Sequence, residues 1–432
     1  MLIVAVLAVG TVFMLAAQWR GWRPRLRTAL LAGIALRVAV WGLGVAAVPQ
    51  SWDFANDFPA AAAAVLHHQD PVLSNPGRWH ILPLMPFLLA GELKAGQFAH
   101  LAWPLIGKLA PVAADLVLIP LVGRLAGNRG RLSAFQYACN PLSILVCAVH
   151  GQLEPVSLAL GVGGFLAARS GRASTAGILG GLSASTGGWP VLLLPGIVLT
   201  LPQWPGRVRA AVWAAAVPVL LLVTSPLTVG TPVRQLAHVA RLLVGARSVV
   251  GDWGWTAVVT GGFEHAETSV ARPGKLVLVA ALLAAIYLWR RADPLDLTVA
   301  LLIAFLLATP RLGVQYLMFP LPLLMARGGR SVTIVTTASA VWCGVGYLYV
   351  AGVHAPQWYT VHRWWALSSL AVVGCLIAAL PWRERRHVHL VGAGAGTAAV
   401  DWRDEQPSHV GPAGPAAPAP GDDAISALPA DG

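Results

Sequence analysis

The sequence predicts an all-α fold, a polytopic transmembrane helical bundle of about 11–13 spans with further helices along the outer interface. Three observations predict it. Of 432 residues, 56% are hydrophobic and only 11% charged, whereas a soluble domain needs about 25% charged residues to wet its surface. The mean hydropathy is +0.67, and apolar runs near the ~18-residue length that spans a bilayer follow one another. Arginines gather in short clusters between those runs instead of scattering along the chain. The net charge of +12 is then explained by cytoplasmic loops. No Lys/Arg-rich run alternates with aromatics, which argues against nucleic acid as a partner. Cys139, Cys147, Cys343 and Cys375 all lie in apolar runs and no CxxC occurs, so neither a zinc site nor a disulfide framework is indicated.

The elements follow in order. Leu2 to Ala17 has no basic segment before it and no A-x-A site after it, so it reads as a span and not as a removed signal peptide. Arg20, Arg23, Arg25 and Arg27 follow and mark the cytoplasmic side. Residues 1–28 are thus an N-terminal span and its basic loop. A second run, about Ala29 to Val48, brings the chain to the outer face. Further spans are expected near 102–124, 134–151, 155–168, 210–230, 275–289, 295–309, 314–326, 331–350 and 365–382. With them, every remaining arginine cluster falls on the cytoplasmic side if the stretch 175–201 goes in and comes back. The Gly187-Gly188-Trp189-Pro190 break permits that return, because Gly and Pro interrupt helices. Half-spans of this kind line cavities in membrane proteins.

The long segments at about 49–101 and 231–274 hold tryptophans and prolines and are expected as outer, interfacial helices. The membrane module therefore runs over 29–387. Residues 388–432, rich in Gly, Ala, Pro and Asp, bury too little apolar area to fold and are expected as a disordered cytoplasmic tail. No internal repeat stands out.

Chemistry concentrates on the predicted outer face. Asp53 and Asp57 lie four residues apart just beyond a span, so on a helix they share a face. Low dielectric there lifts a carboxylate toward the range of a general base, although helix-capping acids look the same in sequence. His67, His68 and Asp70 invite a metal reading, but adjacent histidines on a helix point apart. Arg78 is suited to gripping a lipid phosphate. Within the spans, Arg37, Lys108 and Asp115 are costly and therefore informative; Lys108 and Asp115 share a helical face two turns apart, and Arg37 is a second candidate partner for the aspartate. His150, Gln152 and Glu154, with Asn140 upstream, form a polar rim at the end of a span. Arg311 stands in the outer turn Thr309-Pro310-Arg311-Leu312-Gly313-Val314-Gln315-Tyr316, against the positive-inside trend. That placement fits either an anion site or headgroup snorkelling.

Together these pieces resemble the GT-C superfamily of integral-membrane glycosyltransferases, especially its actinobacterial, mannosyltransferase-like branch. One pattern is an outer-loop acid, a helix and a "DP" turn, here Asp53, Ala60–Leu66 and Asp70-Pro71. Another is Asn140-Pro141 with His150-Gly151-Gln152-Leu153-Glu154, followed by Gly180-Gly181-Leu182. The last is Pro310-Arg311 through Leu317, then Pro320 and Pro322. The likeness runs in order over most of residues 29–350. It departs at Glu154, where members commonly carry aspartate, at Val72, where an aromatic is usual, and at Gly187-Gly188, near which many carry lysine.

The resemblance implies transfer of a hexose or pentose, mannose-like or arabinose-like, from a polyprenyl-phosphate donor to an envelope glycan or glycolipid acceptor. Transfer would occur with inversion, on the outer face of a multi-pass plasma-membrane protein with a cytoplasmic C-terminus. Asp53 would be the base, with Asp57 the second choice. Arg311, flanked by Gln315 and Tyr316 and backed by Arg78, would meet the phosphate. His150, Gln152 and Glu154 would orient sugar hydroxyls. No motif demands a cofactor, and the sequence leaves open whether a divalent cation assists. The rival reading is a transporter or lipid flippase with its substrate site at the broken span; a third is a non-catalytic subunit descended from such an enzyme.

Overall fold

The computed structural model describes residues 1–244, 250–263 and 268–382; the tail expected at 388–432 lies outside them. Every regular element in the described residues is helical. Two long helices, α1 (Leu2–Arg20) and α2 (Leu26–Ala47), precede a group of three shorter ones, α3 (Phe58–Leu66), α4 (Pro71–Ser74) and α5 (Leu84–Ala99). The chain continues through α6 (Trp103–Ile106), α7 (Leu109–Leu125), α8 (Gly130–Ala138), α9 (Pro141–Ile144), α10 (Glu154–Arg169), α11 (Ala173–Ala184) and α12 (Leu194–Thr200). After α13 (Trp204–Val223) come three short helices, α14 (Ser225–Thr228), α15 (Leu236–Val244) and α16 (Gly254–Thr260). The last five are α17 (Thr268–Trp289), α18 (Pro294–Ala308), α19 (Leu321–Arg327), α20 (Arg330–Leu348) and α21 (Gln357–Ala379).

Among the described residues, seven helices are long and apolar enough to cross a membrane, and the bent pair Gly127–Ala138 with Pro141–His150 makes an eighth if it is one span. The chain is a multi-pass membrane protein. Other apolar segments are shorter than a full span: α10 has 16 residues, α11 has 12 and α18 has 15. Their environment explains why hydropathy counts them as spans. Nearly every residue of α18 from Leu295 to Leu306 is buried, so protein and not lipid surrounds it, and a backbone enclosed by protein need not match the hydrocarbon thickness. The break at Gly187-Gly188-Trp189-Pro190 falls between α11 and a 3-10 turn, Trp189–Leu193, that leads into α12. Gly177 and Gly181 on α11 leave no room for a Cβ against Ala210 and Ala214 of α13; small residues four apart let two membrane helices approach closely.

The bundle sorts its polar groups by end. At one end Arg129 Nη1 donates to the Arg327 carbonyl at 2.6 Å, Arg169 Nη1 to the Leu125 carbonyl at 2.6 Å, and Arg327 pairs with Asp296 at 2.5 Å. Glu154 and Arg169 stand at opposite ends of α10, about 22 Å apart at the helical rise. At the Glu154 end a cavity opens.

Halfway between, Arg37 is fully buried and spends its donors on three helices. Its Nε lies 2.6 Å from Asp115 Oδ2 and its Nη2 2.5 Å from the same oxygen, while Tyr137 donates to Asp115 Oδ1 at 2.6 Å. Arg37 Nη1 also reaches the Ala138 carbonyl at 2.8 Å and Nη2 the Ser143 hydroxyl at 2.9 Å. Pro141 has no N–H for the helix ladder, so the bent span at Asn140-Pro141 releases carbonyls that need other donors. Arg37 supplies one, and Asn140 caps the N–H of Leu142 at 2.9 Å. Of the two partners read from sequence for Asp115, the arginine is the one it meets. Lys108 points elsewhere.

Candidate functional site

A cavity of ≈ 600 Å³ lies at the Glu154 end of α10, within the ~300–1,000 Å³ range of small-molecule sites. Four parts of the chain build its polar wall. The first is a single π-helical turn, Asp53–Asp57, between α2 and α3. The wider turn keeps residues four apart nearly in line, and both aspartates border the cavity. The second is another π-helical turn, Leu145–His150, followed by Gly151 at φ +85°. A Cβ at Gly151 would stand 2.6 Å from the Phe54 ring, so the close approach of the two turns needs glycine as much as the backbone angle does. Gln152 and Glu154 leave this turn and border the cavity. The third is the break itself, with Thr186 and Trp189, and the fourth is the turn after α18, with Arg311, Gln315 and Tyr316.

Asp53 is the most constrained carboxylate. Its Oδ1 accepts from the Phe54 N–H at 2.8 Å and lies 3.0 Å from His150 Nε2, and its Oδ2 accepts from the Gln152 amide. Burial alone would raise its pKa, but the charge of His150 and these hydrogen bonds prevail and hold it well below the usual carboxylate range. Asp57 is looser. Its nearest cation is Arg78 at 3.7 Å, whose side chain is 60% exposed, which makes the pair weak. Burial raises the Asp57 pKa; the charge of Arg78 opposes the rise and that of Asp53 adds to it. Two acids four residues apart are thus driven in opposite directions.

His150 is absent from the cavity lining, where a contact with a sugar was expected of it. It stands behind Asp53, with Nδ1 2.7 Å from the Tyr347 hydroxyl. Both ring nitrogens are engaged, so the imidazole orients the carboxylate. Lys108 supports the same assembly from below. Its Nζ donates to the Val149 carbonyl at 2.5 Å and the Ala148 carbonyl at 3.3 Å, and sits 5.0 Å from the centre of the Phe54 ring.

Arg311 and Lys275 border the same cavity, together with Arg78 and His80. Burial and the charge of Arg311 push the His80 imidazole below its usual pKa. The segment around α16 props the arginine turn. Trp253 Nε1 donates to the Leu306 carbonyl at 2.7 Å and Trp255 Nε1 to the Ala308 carbonyl at 3.2 Å, which satisfies carbonyls at the end of α18. Gly274 packs against Pro310, so Lys275 enters beside Arg311. The usable sequence signal for Lys275 was the one used for Arg311: a cation at the end of an apolar run. Tyr347 offered none, since a tyrosine in an apolar helix looks like core.

Other candidates fall outside the cavity. Asp70 caps α4 by accepting from the Val72 and Leu73 N–H groups at 2.7 and 3.2 Å, and Thr231 donates to its second oxygen; its role is structural. Among the described residues no group of three His, Cys, Asp or Glu side chains is placed to hold a metal ion. No protein-family model matches the chain, and no curated protein is significantly similar to it.

Proposed function

We propose that the protein is an inverting glycosyltransferase of the GT-C type. In this reading it moves a mannose-like or arabinose-like sugar from a polyprenyl-phosphate donor to a glycan or glycolipid acceptor at the outer face of the plasma membrane. The observation that carries the reading is the shared cavity of Asp53 and Arg311, two residues from distant parts of the chain and of opposite charge.

The chemistry follows from that pairing. Asp53 takes the proton of an acceptor hydroxyl as its oxygen attacks the anomeric carbon. The new C–O bond forms on one face while the bond from the anomeric carbon to the phosphate oxygen breaks on the other. The electron pair leaves with the polyprenyl phosphate, whose growing charge Arg311 and Lys275 stabilise. Hydrogen bonds from His150 and Gln152 aim the Asp53 carboxylate; its low pKa makes it a weak base but keeps it ionised. Leu192, Leu278, Leu282 and Phe305 complete the lining and suit the isoprenoid end of such a donor. The departure at Gly187-Gly188, where related enzymes carry lysine, is offset in this reading by Lys275 on α17.

The test is transfer from radiolabelled polyprenyl-phosphate mannose and arabinose by the purified protein in nanodiscs. Transfer lost in Asp53→Asn supports the reading, absence of transfer by the wild type removes it, and full activity in both Asp53→Asn and Asp57→Asn removes the aspartate base. The transporter reading draws on one observation, that the broken span borders the cavity. Uptake of a labelled solute into proteoliposomes without any lipid-linked sugar would favour it.

A further inference from the structure

An aromatic stack forms one side of the cavity. Trp189 lies against Phe319 with ring centroids 3.6 Å apart and planes 11° from parallel, and Phe319 stacks in turn on Tyr316 at 4.8 Å. Phe319 is fully buried and lies behind the lining, whereas Trp189 is half-buried and borders the cavity. The indole is thus held flat from behind, and ring surface that Phe319 does not cover faces the open space.

Next to it stand hydrogen-bond acceptors without matching donors. Glu154 is 9% exposed, and its Oε2 is buried with no hydrogen-bond partner. Ser157, one turn along α10 on the same face, also borders the cavity and hydrogen-bonds to Thr186. The direction of that bond is fixed, because Thr186 Oγ1 lies 2.6 Å from the Ser183 carbonyl and donates to it. Ser157 therefore donates to Thr186 and turns lone pairs to the cavity. Buried polar atoms require partners, and Glu154 Oε2 has none among the described residues.

We propose that Trp189, Glu154 and Ser157 form a subsite for a sugar ring, whose C–H face lies on the indole while its hydroxyls donate to Glu154 and Ser157. A saccharide is the ligand class that presents a weakly polar ring face and hydroxyl donors along the ring edge. The subsite deepens the glycosyl-transfer reading and rests on it for the identity of the ligand. It makes Trp189 a specificity-determining residue at a position where the sequence showed only a helix break.

Saturation-transfer NMR on the full-length protein in nanodiscs tests this, with methyl mannopyranoside and methyl arabinofuranoside as probes and choline as a control. The wild type should saturate the ring C–H protons of at least one glycoside. Trp189→Phe should keep most of the signal, and Trp189→Leu should weaken binding about fivefold or more. Glu154→Gln and Ser157→Ala alter little packing volume and should each weaken it about threefold or more, which decides the matter if Trp189→Leu does not fold. Absence of glycoside binding, binding of choline alone, or binding insensitive to these variants overturns the subsite. Transfer is scored separately. Variant-sensitive binding without any use of lipid-linked sugar keeps the subsite and removes the transferase, whereas transfer with variant-insensitive binding does the reverse.

Discussion

Nε2 of His150 lies 3.0 Å from Oδ1 of Asp53, and its Nδ1 lies 2.7 Å from the Tyr347 hydroxyl. With both ring nitrogens engaged, the imidazole fixes the direction of the Asp53 carboxylate.

The two acids of the Asp53–Asp57 turn should separate by pH. Asp57 is raised and Asp53 depressed from the ordinary aspartate range. Asp57 therefore gains its proton first as pH falls, at a pH above the usual value of about 3.9, and Asp53 keeps its charge well below it. Asp57→Asn should remove an acidic limb from the rate profile and lower the neutral rate by about tenfold or less. Asp53→Asn should lower the rate about 10²–10⁴-fold at every pH, the loss expected for a missing base. Initial rates of sugar transfer across the acidic range check both. An identical profile for wild type and Asp57→Asn would remove Asp57 from the reaction.

Arg311→Lys should raise the KM for the lipid-linked donor about tenfold while leaving that for the acceptor nearly unchanged. Lysine keeps the charge but not the planar fork that meets two phosphate oxygens. Steady-state kinetics with each substrate varied in turn measure the split. Equal effects on both would take Arg311 out of the phosphate site.

Breaking the buried pair in the middle of the bundle should cost more than deleting it. Arg37→Met strands the Asp115 carboxylate and the Ala138 carbonyl, and Asp115→Leu strands the guanidinium; each should cost about 3–5 kcal/mol. The double variant Arg37→Met/Asp115→Leu should recover part of that loss. Thermal unfolding followed by size-exclusion in detergent gives the three values, and additive losses would show that the pair is not coupled.

Glu92 offers a stability test with a definite sign. Its Oε1 accepts from the Ala110 N–H at 2.5 Å, its Oε2 is buried without a partner, and burial raises its pKa to about 7. The folded state thus holds a proton that the unfolded chain releases near pH 4.5. Stability is highest below that pH, falls as pH rises toward 7, and stays lowered above it. Glu92→Gln keeps the acceptor for Ala110 and removes the charge. At pH 8 it should be more stable than wild type by up to about 3 kcal/mol, at 1.36 kcal/mol per unit, with no gain near pH 4. Melting curves over that range decide it.

The sequence was most informative where physics is local. An apolar run long enough to cross a bilayer is visible in itself, and so is the Gly187-Gly188-Trp189-Pro190 break, because backbone freedom and a missing N–H act on the residues that carry them. Asp53, Asp57, Gln152, Glu154 and Arg311 were legible as candidates because polar groups at span ends stand out against an apolar background. Lys108 and Asp115 show the limit: one helix face suggested a pair, and the folded chain gives the lysine to the carbonyls of Ala148 and Val149 and the aspartate to Arg37.

By itself, then, the amino-acid order determined that this is a helical membrane protein, where its helices run and break, and which polar residues stand apart from lipid. Tertiary structure alone decided which of them meet. The Asp53 and His150 turns, the Trp189 and Phe319 rings, and the Arg311 and Lys275 charges come together from segments far apart in the chain, through packing that no local periodicity encodes. The same packing sets the desolvation and charge around each acid, which is why two aspartates on one turn end with opposite pKa shifts.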